Sequence, residues 1–60
     1  MEKRLMELVT KKFLTVDEIN EIGAMENVSI EYKGYSGIFI SYYWCIVYYE
    51  DDEFDVYLKI

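Results

Sequence analysis

The densest set of chemistry-bearing side chains in this sequence is Glu50, Asp51, Asp52, Glu53 and Asp55. Three chemistries use such a run: cation ligation, general acid–base work, and imitation of a phosphate backbone. Asp51-x-Glu53-x-Asp55 has the alternating oxygens of a calcium loop. That loop requires glycine at its sixth position for a sharp turn, and Val56 stands there. Acid–base catalysis needs a carboxyl of shifted pKa in a cleft, commonly with histidine, and the chain has no histidine. The single cysteine, Cys45, therefore has no imidazole to activate it, and it reads as a buried structural thiol. No enzyme activity, metal or cofactor is expected.

The charge distribution sharpens the third option. Net charge is −6, with Lys+Arg 6 against Asp+Glu 12. Lys3, Arg4, Lys11 and Lys12 crowd the first fourteen residues, and ten of the acids follow from Asp17 onward. An acidic surface repels nucleic acid and attracts basic proteins. The expected partner is a basic protein, with no direct nucleic-acid contact. The lone thiol and the lack of a signal peptide fit a reducing cytoplasm. Ile38–Tyr49 is too short for a membrane helix, which needs about 20 apolar residues, so no membrane association is expected.

These acids must be positioned by a small fold. A chain of 60 residues makes one domain, spanning residues 1–60, of marginal stability. Residues 38–49 read IFISYYWCIVYY, uncharged and rich in aromatic and β-branched types, as suits a central strand. Upstream, Leu5, Val9 and Phe13 recur at helical spacing and predict a helix over Glu2–Phe13. Thr15 with Glu18 three residues on is a capping box, opening a second helix over Val16–Met25 with Ile19, Ile22 and Met25 inward.

A Leu-Thr-x-x-Glu-Ile opening also occurs in helix-turn-helix proteins. The segment after the cap carries Asp17, Glu18, Glu21 and Glu26 and no basic residue, which argues against groove reading. From Val28 the apolar period changes to two, with turns expected at residues 34–37 and 50–53. The predicted fold is α+β: two N-terminal helices packed on one face of a three-stranded antiparallel β-meander, order ααβββ.

Pairing Lys33 with Ile38 and Tyr49 with Phe54 places Cys45, Val47, Val56 and their neighbours on the helix-covered face. The other face then carries Ile40, Tyr42, Trp44, Ile46, Tyr48 and, from the last strand, Tyr57. A contiguous apolar patch of this kind marks an interface, and Tyr and Trp are enriched at binding hot spots. A homodimer through this face is one expectation. Curling of the sheet to bury some of these residues against its own edges is the structural alternative.

Two functions follow. In the first, Glu50, Asp51, Asp52, Glu53 and Asp55 mimic a nucleic acid and block a basic nucleic-acid-handling protein, with the aromatics as anchor. Small acidic phage-type inhibitors of the anti-restriction and anti-CRISPR kind offer an analogy of size and charge. In the second, the chain is a homo-oligomerisation or adaptor module acting through its aromatic face alone.

Overall fold

The computed structural model describes residues 3–38 and 41–59. In chain order the elements are α1 (Lys3–Lys11), β1 (Phe13–Leu14), α2 (Val16–Gly23), β2 (Val28–Tyr35), β3 (Tyr42–Tyr49) and β4 (Asp52–Lys59). The class is α+β. The sheet has four strands in the order β1-β4-β3-β2. The expected antiparallel meander is present as β2–β3–β4, and β1 extends it, pairing parallel with β4.

β1 corrects the expected first helix. Lys12 takes a left-handed φ of 73°, which stops α1 at Lys11. The Lys12 carbonyl then accepts the Tyr57 N–H at 2.7 Å, starting the pairing with β4. Phe13 faces Tyr57 and Leu14 faces Leu58. Leu14 enters the core and is 1% exposed, whereas Phe13 turns to the opposite face. A strand thus separates the helices, where the expected bounds left only Leu14 and Thr15 between them.

The capping box forms as read. Glu18 N–H donates to Thr15 Oγ1, and the Glu18 carboxylate accepts the Thr15 N–H. Asp17 and Glu18 lie in the first turn of α2, where the helix dipole favours them. The helix ends at Gly23, short of the expected Met25. Leu5, Leu8 and Val9 of α1 and Ile19 and Ile22 of α2 pack with Leu14, Cys45, Val47 and Val56 into one core.

Both hairpins depart from the expected register, and both preserve the expected faces. The β3–β4 turn is Glu50-Asp51, so Tyr49 pairs with Asp52 and Val47 with Phe54. This is a two-residue displacement, and a side-chain period of two leaves every residue on its face. β2 ends at Tyr35 and β3 begins at Tyr42, later than the expected start at Ile38, and the Ser36 hydroxyl accepts the Ile38 N–H at 3.1 Å. Tyr32 pairs with Cys45 and Gly34 with Trp44, leaving Lys33 as the extra residue of a bulge. Gly34 adopts φ 119°, a value that glycine takes without strain. Tyr32 shares the helix-side parity of Val28 and Ile30 but is 59% exposed, whereas those two pack against the core.

Candidate functional site

The sheet face turned away from the helices collects most of the side chains singled out by sequence. On β3 it carries Tyr42, Trp44, Ile46 and Tyr48, and on β4 Glu53, Asp55, Tyr57 and Lys59, paired rung by rung. Ile40 lies outside the described residues. Tyr48 stands opposite Glu53, Ile46 opposite Asp55, and Trp44 opposite Tyr57. On the other flank of β3, Glu31 of β2 stands opposite Ile46. An apolar column is thus bordered by carboxylates on both sides toward the β3–β4 hairpin.

The five acids do not share one turn. Only Glu50 and Asp51 form it, with Glu50 at a left-handed φ of 55°. Asp52 and Glu53 open β4, and Asp55 lies further along it. Glu53 and Asp55 share the outer face with the aromatics, whereas Asp52 has the opposite parity. Asp55 Oδ1 accepts the Trp44 indole N–H at 3.4 Å, and its main-chain carbonyl accepts from Lys12 Nζ at 3.3 Å.

Ion pairing elsewhere leaves this region acidic. Arg4 pairs with Glu21 at 2.6 Å and Glu7 at 3.5 Å, and Lys11 pairs with Glu18 at 2.5 Å. Hydrogen bonds from those cations hold the Glu18 and Glu21 carboxyls below their usual pKa range. Much of the basic N-terminal segment is therefore occupied with acids of its own helices. Among the described residues Glu50, Asp51, Asp52, Glu53 and Asp55 take part in no ion pair.

The aromatics are partly covered by one another. Phe13 meets Tyr42 edge-on with centroids 5.2 Å apart, and it stacks on Tyr57 at 5.5 Å. Tyr42, Ile46, Tyr48 and Tyr57 are half-buried, while Phe13 and Trp44 stay 42% and 38% exposed. Phe13 is the member of this face that sequence reasoning assigned to the helix core. No local signal marks it, because α1 ends at a left-handed Lys12 and Phe13 is placed by its pairing with Tyr57. Beside Trp44 the sheet holds a hollow of about 200 Å³ lined by Ser36, Gly37, Ile38, Trp44 and Tyr57.

Tyr48 is anchored from the β2 side. Its hydroxyl donates to Glu31 Oε1 at 2.7 Å, and Glu31 also pairs with Lys33 at 3.0 Å. The bond to Glu31 pushes the Tyr48 phenol up to about 12, and in return Tyr48 and Lys33 hold the Glu31 carboxyl below its usual range. Cys45 is fully buried, and that burial pushes its thiol pKa up, which opposes nucleophilic use. No helix among the described residues is long and apolar enough to cross a membrane. Comparison with known protein families, characterised proteins and solved structures found no match.

Proposed function

We propose that this chain is an acidic protein-interaction module that docks a basic protein on the outer face of its sheet. The observation that carries the reading is the pairing of Tyr48 with Glu53 and Ile46 with Asp55, which sets anchor and charge on one surface. Aromatic side chains bring contact area at small entropic cost, and the flanking carboxylates bring steering and selectivity for a basic surface.

The finer form of the proposal is an inhibitor of a nucleic-acid-handling protein. Glu53 and Asp55 are two residues apart on one strand, which spaces their Cα atoms by about 6.8 Å, on the scale of successive phosphates. Capture of partners from cell extract at low and high salt tests this form. A basic protein retained at low salt and released at high salt is the expected result. A partner that is not basic, or retention indifferent to salt, excludes mimicry.

A second reading, homo-oligomerisation or adaptor binding through the same aromatics without mimicry, draws on the exposure of Phe13 and Trp44. It ranks the variants differently: aromatic substitutions abolish association and acid substitutions leave it unchanged.

A further inference from the structure

β2 is an edge strand of the sheet: one side pairs with β3, and the other side meets no strand among the described residues. An unpaired edge presents main-chain donors and acceptors to any second strand. Three observations concern what this edge fits. Tyr32 and Tyr35, both on β2, are 59% and 64% exposed, and Tyr35 stacks on Tyr43. Lys33 is the bulge residue and has no direct partner on β3. Its cation is paired within its own strand, to Glu31 at 3.0 Å, and both side chains are open to solvent.

We propose that β2 pairs antiparallel with β2 of a second copy of this chain, about a two-fold axis at Tyr32. A two-fold axis there makes the charge pattern self-complementary. Glu31 of each copy stands opposite Lys33 of the other, and the two Tyr32 rings meet on the helix side of the joined sheet. Exposed ion pairs within a strand are weak, so exchanging them for pairs between strands costs little. Cross-strand opposite charges and aromatic pairs each favour such a register. The joined sheet has eight strands, twice the four of one copy. It leaves the Trp44 face of both copies open, so a dimer offers two binding surfaces where a monomer offers one. This interface shares Glu31 with the outer face, where it accepts the Tyr48 hydroxyl, but it does not rest on the function proposed above.

The test is the mass of the full chain in solution, by light scattering at rising concentration up to millimolar. The wild type is expected to reach twice 7.2 kDa. Glu31→Lys and Lys33→Glu each set like charges opposite each other at two places, and each is expected to weaken self-association by about tenfold. Mixing the two variants in equal amounts restores opposite charges between chains but not within either strand, so the mixture is expected to recover the dimer. Circular dichroism checks that both variants stay folded. A wild type that remains at 7.2 kDa throughout overturns the proposal and identifies the bulge and Lys33 as guards of the edge. Single variants that associate like the wild type, or a mixture no stronger than its components, overturn it equally.

Discussion

Trp44 donates its indole N–H to Asp55 Oδ1 at 3.4 Å, one rung away from its direct partner Tyr57. The bond couples the centre of the aromatic face to the acidic flank of β4. Both groups are exposed, so water replaces either partner when the other is removed. Asp55→Ala is expected to cost less than about 1 kcal/mol in urea unfolding. It should shift the emission of Trp44, the only tryptophan. Unchanged emission would show that the bond does not hold the ring in solution.

Phe13 and Leu14 are adjacent in β1 but belong to opposite faces. Leu14→Ala removes a fully enclosed side chain and is expected to cost about 2–5 kcal/mol, enough to unfold much of a domain this small. Phe13→Ser loses ring contacts on the open face and is expected to cost about 1 kcal/mol. Thermal melts of the two variants decide the order. Equal losses would contradict the strand and favour a helix running through Phe13.

Glu50 holds a left-handed φ of 55° in the β3–β4 turn, a conformation costing an L-residue roughly 1–2 kcal/mol. Glu50→Gly is expected to raise stability by up to about 1 kcal/mol, since glycine's greater freedom in the unfolded chain takes back part of the gain. A decrease in melting temperature would contradict the turn.

The same residues show which parts of the fold were legible. The capping box at Thr15 and Glu18 is a local motif whose bonds lie within one turn, so pattern and structure coincide. The faces of β3 and β4 were legible because parity survives a two-residue register displacement. Turn lengths were not legible. The tight β3–β4 turn forces Glu50 to positive φ, where glycine or asparagine is the usual sign. β1 was hidden for a similar reason: Lys12 ends α1 in a left-handed conformation that nothing in its side chain announces. The strand itself is two residues long and is specified by its pairing with β4, a contact distant in sequence. Acids and aromatics could be identified by type, but that Asp52 and Glu53 leave the turn and open β4 depended on the true turn length.

The Tyr48–Glu31 hydrogen bond makes a pH signature. Tyr48 is raised from 10.0 to about 12, so its contribution to stability is complete below pH 10 and disappears as pH rises toward 12. Glu31 is lowered from 4.5, so its contribution is complete above pH 4.5 and disappears as pH falls through its lowered value. In an ultraviolet titration of the phenols, Tyr48→Phe should remove amplitude from the most alkaline end, near pH 12. Amplitude lost from the ordinary tyrosine range instead would contradict the bond.

In the proposed docking mode, charge and anchor act on one partner from one face. The decisive measurement is the affinity of the captured partner against salt concentration. The chains compared are the wild type, a Glu53→Lys/Asp55→Lys variant and a Trp44→Ala variant. Wild-type affinity is expected to fall as salt rises, and charge reversal is expected to weaken binding and flatten this dependence. Trp44→Ala should speed dissociation while keeping the salt slope. Wild-type affinity indifferent to salt, or reversal of Glu53 and Asp55 without effect, would contradict this docking mode.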